Sequence, residues 1–306
     1  MIKKIIIGCR SSKLSLAYTN LVVKQLKKKS ILRSSKILIK KIKTKGDKFK
    51  DKKISNIGGK SVFCKEIEQQ LKSSKIDLAV HSLKDLESID DPKLSIGAYL
   101  KRNDPREVFV SKRYKKLSEL KVGCIGTSSP RRKHQIGSLN SKPSIKSIRG
   151  NVDTRLEKID KQLFDGAILA YAGIKILKKQ KYIKEIFSIK KILPSAGQGV
   201  IAVQCRKKDK IIKNILKKIN HKKTMICAKA EREFLKTIGG DCNTAVGCNA
   251  QIRRKKILLR TQLFADNGKK SFKAMLSGKI LNPTELGKRV GKKILKKSLG
   301  YYKIKK

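Results

Sequence analysis

Four short polar segments in this chain carry residues able to do chemistry, and each follows an apolar, strand-like run. Arg10-Ser11-Ser12 follows Ile5 to Cys9, and His81-Ser82-Leu83-Lys84-Asp85 follows Leu78 to Val80. Thr127-Ser128-Ser129-Pro130-Arg131-Arg132 follows Val122 to Ile125. Arg149-Gly150-Asn151 follows Ile145 to Ile148, with Arg155 one helical turn further on. Open α/β sheets bind ligands at the carboxyl ends of their strands. Arg offers a planar fork for carboxylates or phosphates. Small hydroxyl residues at a helix start leave backbone N–H groups for an anion, and the helix dipole adds to the attraction. The pattern predicts a ligand with several carboxylates or phosphates, held in a cleft between two successive domains. Only 15 of the 78 basic residues are Arg, yet these strand ends take Arg.

Asp85 is the one carboxylate in this basic company. It reads either as an ion-pair partner for Lys84 or Arg10, or as an acid/base or counter-charge for a cationic intermediate. Cys242 ends Gly239-Gly240-Asp241-Cys242, a loop whose glycines allow close backbone approach. Composition alone gives it no priority over the other six cysteines. His81 reads equally as a satisfied core residue or a catalyst.

The elements that must position these residues alternate. Strands are expected over 5–9, 37–44, 78–80 and 94–100, and helices over 14–28 and 62–72. The rhythm implies a mostly parallel sheet with helices on both faces. A second unit follows, with strands over 107–110, 122–125, 145–148 and 167–171 and helices over 131–139 and 152–161. Leu193-Pro-Ser-Ala-Gly-Gln-Gly-Val200 is rich in turn formers and marks a junction. A helix over 224–236, a strand over 256–263 and a final amphipathic helix then predict a small α+β domain.

The chain has 306 residues and a formal net charge of +55, from 78 Lys+Arg against 23 Asp+Glu. Such a balance normally points to nucleic acid or an anionic membrane. Here the lysines are spread along the whole chain and no aromatic-basic motif accompanies them, so neither partner is expected. No apolar run reaches the roughly 18 residues that a membrane span needs. Seven cysteines, an odd number without CxxC spacing, disfavour both disulfides and a metal site and fit the cytoplasm. The opening Met1 to Cys9 reads better as a buried strand than as an export signal.

Nine ordered blocks resemble one known family. They are Ile7-Gly-Cys-Arg-Ser-Ser-Lys-Leu-Ser-Leu-Ala17, Thr44-Lys-Gly-Asp47, Gly59-Lys-Ser-Val-Phe-Cys-Lys-Glu-Ile-Glu68 and Ile76-Asp-Leu-Ala-Val-His-Ser-Leu-Lys-Asp85. Gly126-Thr-Ser-Ser-Pro-Arg-Arg132, Arg149-Gly-Asn-Val-Asp-Thr-Arg155, Leu193-Pro-Ser-Ala-Gly-Gln-Gly199, Ala230-Glu-Arg-Glu-Phe-Leu235 and Gly239-Gly-Asp-Cys242 complete the set. The sequence closely resembles the porphobilinogen deaminase (hydroxymethylbilane synthase) family over nearly the whole chain to about residue 250, and less closely beyond.

The resemblance implies an α/β fold: two periplasmic-binding-protein-like lobes with mixed sheets plus a smaller α+β C-terminal domain. Lobe one would take residues 1–100 and 195–217, lobe two 101–194, and the cofactor-attachment domain 218–306. The implied activity is a transferase step of haem biosynthesis, in which four porphobilinogen molecules condense head to tail into hydroxymethylbilane with release of ammonia. A covalent dipyrromethane cofactor, thioether-linked to Cys242, would prime the chain. The resemblance assigns Asp85 as the catalytic aspartate, assisting loss of ammonia and steadying positive charge on pyrrole nitrogen. Arg10, Arg131, Arg132, Arg149 and Arg155 match the family's carboxylate binders, with Ser12, Lys84, Thr127, Ser128 and Ser129 as neighbours. It further implies a monomer.

The chain departs from the family pattern at several positions. Ile176 follows Lys175 where an arginine is usual, which puts one carboxylate contact in doubt. Pro130, Glu87, Gln204 and Asp241 also replace the usual residues, and Asp241 adds negative charge beside Cys242. The competing reading is a non-catalytic anion-binding protein of the same two-lobed fold, which would need neither Asp85 nor Cys242.

Overall fold

The computed structural model describes residues 3–28, 32, 35–48, 62–241, 243–265 and 267–304. In chain order the first elements are β1 (Lys4–Arg10), α1 (Lys13–Lys28), β2 (Lys36–Ile42), α2 (Lys45–Lys48), α3 (Lys65–Lys72), β3 (Leu78–Ser82) and β4 (Leu94–Tyr99). Next come β5 (Glu107–Val110), β6 (Cys124–Gly126), α4 (Pro130–Leu139), β7 (Ser144–Lys146), α5 (Val152–Asp160), β8 (Gly166–Ala170), α6 (Tyr171–Ile176) and β9 (Ile183–Ile186). The last are β10 (Ile201–Arg206), α7 (Lys210–Ile219), α8 (Lys222–Thr237), β11 (Val246–Arg253), β12 (Lys256–Phe264), β13 (Ser271–Lys279) and α9 (Pro283–Lys297). They fall into two compact units, Met1–Asn103 with Val200–Met225 and Asp104–Gly199 with Ile226–Lys306.

The first unit holds a five-stranded sheet in the order β2-β1-β3-β10-β4. β1 runs parallel to β2 and β3, with Gly8 opposite Ala79. β10 is antiparallel to both its neighbours. The expectation of a mostly parallel sheet is corrected here: the sheet is mixed. The βαβ rhythm missed this because β10 joins only after the whole 104–199 segment. Helices bury apolar faces against this sheet. α3 contributes Ile67 and Leu71 to a cluster with Ile42, Ile76, Ala79 and Leu94. α7, absent from the sequence expectations, buries Ile212, Ile215, Leu216 and Ile219 at helical spacing. Asp209 caps it, accepting the Ile212 N–H at 3.0 Å.

The second unit has two sheets. One is five-stranded, β7-β6-β8-β5-β9, with β6 parallel to β7 and β8 and β5 antiparallel to β8 and β9. Successive side chains of β5 alternate between faces. Val108 and Val110 therefore join one core with Ile148, Leu156 and Leu169, while Phe109 joins another with Leu120, Ile125, Ile136 and Phe187. The other sheet is the antiparallel meander β11-β12-β13. Phe234 of α8, Ile238 just past its end, and Leu286, Val290 and Ile294 of α9 close one face of it over Cys248, Leu259 and Leu263. Gly287 lets the two helices meet: a Cβ there would stand 2.5 Å from the Ala230 carbonyl oxygen.

One carboxylate stitches the turn-rich segment before β10 to this meander. Glu231 is fully buried. It accepts the Gly197 N–H and the Ala250 N–H, each at 2.6 Å. The Cys248 N–H donates to the Pro194 carbonyl at 2.7 Å. Element boundaries differ from expectation by a few residues. α3 starts at Lys65 because Cys64 is its N-cap residue. β6 starts at Cys124, leaving Val122 82% exposed.

Candidate functional site

In the first unit the parallel pairing of β2, β1 and β3 brings their carboxyl ends side by side. Arg10 ends β1, and Asp85 closes a single 3-10 turn, Leu83–Asp85, directly after β3. Thr44 to Asp47 follow β2. Arg10 grips Asp47 with both edges of its fork, Nη2 to Oδ1 at 2.6 Å and Nε to Oδ2 at 3.3 Å. Its guanidinium lies 4.2 Å from the Phe63 ring centroid. Thr44 adds its hydroxyl to Asp47 at 2.8 Å. Burial pushes the Asp47 carboxyl up, but the bonds and charge of Arg10 and the bonds of Thr44 outweigh it and hold it below its ordinary range. The ion-pair alternative for Asp85 is therefore corrected with respect to Arg10, whose carboxylate partner is Asp47.

Asp85 is half-buried. Its backbone carbonyl accepts the Cys64 thiol at 3.3 Å. Among the described residues no side chain donates to its carboxylate. Its charge reaches two neighbours: burial, and then Asp85, raise both the Tyr18 hydroxyl and the Cys64 thiol. Cys64 is thus held as a neutral thiol, which removes it as a nucleophile. Ser12 caps α1, its hydroxyl accepting the Ser15 N–H at 3.2 Å. Lys84 is half-buried beside Asp85 in the same turn.

His81 is buried in β3, and burial pulls its pKa from 6.5 to about 4, aided by the Arg10 charge and opposed by Gln204. It is neutral at pH 7, which favours a structural over an acid/base role. The sign of the linkage follows. Between these two values the unfolded chain binds a proton that the native chain does not. The associated stability is complete above pH 6.5 and is lost as pH falls toward 4, about 3 kcal/mol in all. Unfolding free energy in urea is expected to fall from pH 7 to pH 5 more steeply for the native chain than for His81→Gln. Equal slopes would refute the assignment.

In the second unit β7, β6 and β8 run parallel and lead into α5, α4 and α6, so three helix starts share one sheet edge. Ser129 caps α4, accepting the Arg132 N–H at 3.4 Å, and Pro130 takes the first turn, where its missing N–H costs nothing. Thr127 accepts the Ser129 N–H at 3.2 Å. Ser128 donates to the Ile148 carbonyl at 2.7 Å and accepts from Ser147 at 2.9 Å. These bonds tie the segment after β6 to the segment after β7.

Arg131 and Arg132 turn inward. Arg131 donates from Nη2 to Glu107 Oε1 at 2.6 Å, and from Nη1 to the Leu193 carbonyl at 2.8 Å and Gln135 at 3.1 Å. Arg132 donates from Nη2 to Glu107 Oε2 at 2.9 Å and from Nη1 to the Ile168 carbonyl at 3.0 Å. Its buried Nε has no partner among the described residues. Arg149 is half-buried and its guanidinium has no hydrogen-bond partner among the described residues. Arg155 donates from Nε to the Gly150 carbonyl at 2.8 Å. Gly150 has φ +105, which an L side chain rarely adopts, and this lets the chain turn into α5.

A buried orphan donor on a cation, an unpaired guanidinium and three helix starts suit an acidic group. Two guanidiniums against the single Glu107 carboxylate leave a net positive charge. A polycarboxylated pyrrole therefore fits this donor set. Cys242 lies outside the described residues. Next to it, Asp241 accepts the Asn243 N–H and the Thr244 hydroxyl, each at 2.9 Å. The extra negative charge of Asp241 is thus engaged in holding a turn.

Sequence reasoning assigned no role to Asp47, Glu107 or Glu231. The available signal was an acidic residue inside a matched block or heading an apolar strand, in a chain with only 23 acidic residues.

A family model described as "Porphobilinogen deaminase, dipyromethane cofactor binding domain" matches residues 5–214, and one described as "Porphobilinogen deaminase, C-terminal domain" matches residues 225–296. Porphobilinogen deaminase of Limosilactobacillus reuteri is 40% identical over 301 residues, 97% of each chain. That of Alkaliphilus metalliredigens is 37% identical over 95% of this chain and 92% of its own. That of Staphylococcus aureus is 37% identical over 99% and 97%. Among solved structures, the VFT2 domain of Bordetella pertussis BvgS aligns at a TM-score of 0.43 and 12% identity, over 71% of this chain and 86% of that one. With family models and relatives spanning nearly all of its length, the chain belongs to the porphobilinogen deaminase family.

Proposed function

We propose that Asp85 is the catalytic carboxylate of a head-to-tail condensation of porphobilinogen, and that Arg10, Arg132, Arg149 and Arg155 serve its acidic substrate and cofactor. The reaction is a transferase step of haem biosynthesis that yields hydroxymethylbilane. The observation that carries the reading is the half-buried Asp85 at the carboxyl end of β3, with no donor to its carboxylate among the described residues. A carboxylate in that condition is available to a cationic ligand.

The chemistry needs such a group. As the aminomethyl C–N bond of porphobilinogen breaks, ammonia leaves with the bonding pair and positive charge spreads onto the pyrrole ring. Asp85 would accept the pyrrole N–H and stabilise that charge, then take up the proton released when the ring carbons join. The dipyrromethane cofactor, held covalently at Cys242, supplies the nucleophilic pyrrole carbon that primes the chain. The guanidiniums fix acetate and propionate groups as charge-assisted bonds. Ser12, Thr127, Ser128 and Ser129 shape the backbone around them.

The protein works in this reading as a cytoplasmic monomer without nucleic-acid or membrane partners. Among the described residues no two cysteines are joined in a disulfide, which fits a reducing compartment. No helix among the described residues is long and apolar enough to cross a membrane.

The test is the intact mass of the purified, denatured protein. An excess of two deaminated porphobilinogen units is expected. A bare sequence mass, unchanged by incubation with porphobilinogen, would instead favour a non-catalytic anion-binding protein.

A further inference from the structure

We infer that Glu107 is a positioning residue, and that it and Arg131 hold the Arg132 guanidinium so that Arg132 alone of the adjacent pair offers a donor to a ligand carboxylate. This rests on the proposed carboxylate-binding role of the second unit and divides the labour within it.

The two arginines are neighbours in sequence but not equivalent in the structure. Arg131 is 3% exposed and bonded to three separate places: β5 through Glu107, its own helix through Gln135, and the 193–199 segment through the Leu193 carbonyl. Those bonds run to protein groups of the fold. Arg132 is fixed by two, Glu107 and the Ile168 carbonyl, and its Nε stays buried and unpartnered among the described residues. An unsatisfied donor on a buried cation is costly and calls for an explanation. A ligand carboxylate would satisfy it.

Glu107 is the hinge of the arrangement. It is fully buried and its two oxygens are divided, one to each guanidinium. Burial and the Arg132 charge disfavour the Arg131 cation, and Glu107 opposes them. Without Glu107, two buried like charges would face each other and Arg132 would lose its orientation. Arg131 then has a second duty: it ties Glu107 to the segment that leads back to β10.

The experiment is a double-mutant cycle on the full chain with Glu107→Gln, Arg131→Gln and the double variant, reading covalent loading by intact mass, melting temperature, and KM and kcat separately. Each single change is expected to raise KM for porphobilinogen by about tenfold with kcat within about twofold, the scale of one lost charge-assisted contact. The double variant should be no worse than the poorer single one, because both act through Arg132. Multiplicative losses, near a hundredfold in KM, would show that Arg131 meets the ligand by itself and overturn the inference. An unchanged KM in Glu107→Gln would also overturn it. If the Gln variants do not fold, Arg131→Lys keeps the charge but cannot serve three acceptors at once, and the same KM rise is expected; native KM there is the refuting result. A loaded, active native chain with additive losses refutes this inference alone. An unloaded, inactive native chain refutes the underlying reading, and the cycle is then scored on the melting-temperature shift that porphobilinogen induces.

Discussion

Asp85→Asn is expected to fold normally and to lose turnover by at least about a hundredfold. Asn has nearly the shape of Asp, and the contacts that set the turn are backbone contacts. The Leu86 N–H donates to the Leu83 carbonyl at 3.2 Å, and the Cys64 thiol to the Asp85 carbonyl. Neither involves the carboxylate, so the melting temperature should barely move. The charge is what disappears. Asp85 sits in the unit that also carries Arg10, whose carboxylate bonds among the described residues go to Asp47. An amide there cannot neutralise a pyrrole cation or accept its proton. Rapid-quench measurement of hydroxymethylbilane formation, beside circular dichroism of the same preparation, tests this. Near-native product formation by a well-folded Asp85→Asn would remove Asp85 from the mechanism.

Much of the site was legible because strand order in a parallel run follows simple rules. β1 with β3, and β6 with β7, pair in parallel, so residues just past their carboxyl ends had to come together. That is why the sequence alone groups Arg10 with Asp85, and Ser128 with Arg149. Three features were not legible in local pattern. β10 enters its sheet antiparallel from a segment about a hundred residues beyond β4; no local periodicity encodes such a return, and it is the family resemblance that carries the mixed sheets and the return of the chain to the first lobe. Asp85 had two plausible cations, Lys84 and Arg10, and the engagement of Arg10 by Asp47 depends on β2 running beside β1 with its end turned by Thr44. The inward turn of Arg131 depends on Glu107, a charge at the head of an apolar strand that β8 and β9 flank on either side. The lysine excess hid the rest: with 78 basic residues, local charge patterns at helix ends carry little information, and the first turn of α1 holds no acidic residue at all.

Cys242→Ser is expected to yield a folded protein whose mass equals its sequence and whose turnover is below about one-thousandth of native. Thioether formation needs a thiolate, and a serine hydroxyl, which ionises far above neutral pH, does not replace it. Competition from the other cysteines is weak for a physical reason. Burial raises the thiols of Cys9, Cys64 and Cys205, so each stays protonated. Cys227 and Cys248 are buried in the core of the C-terminal meander. Cys124 is partly exposed and is the informative control. Asp241 and Thr244 bond to each other, the Asp241 N–H to the Thr244 hydroxyl and that hydroxyl to the Asp241 carboxylate, and the substitution removes neither bond. Intact-mass spectrometry of the native chain, Cys242→Ser and Cys124→Ser separates the possibilities. Loss of the pyrrole mass in Cys242→Ser alone supports the attachment. Pyrroles retained in Cys242→Ser and lost in Cys124→Ser would move the cofactor to the second unit's first sheet. The roles proposed for Asp85 and for the arginines do not depend on which cysteine carries the cofactor, so that outcome would relocate the attachment and leave those proposals to their own tests.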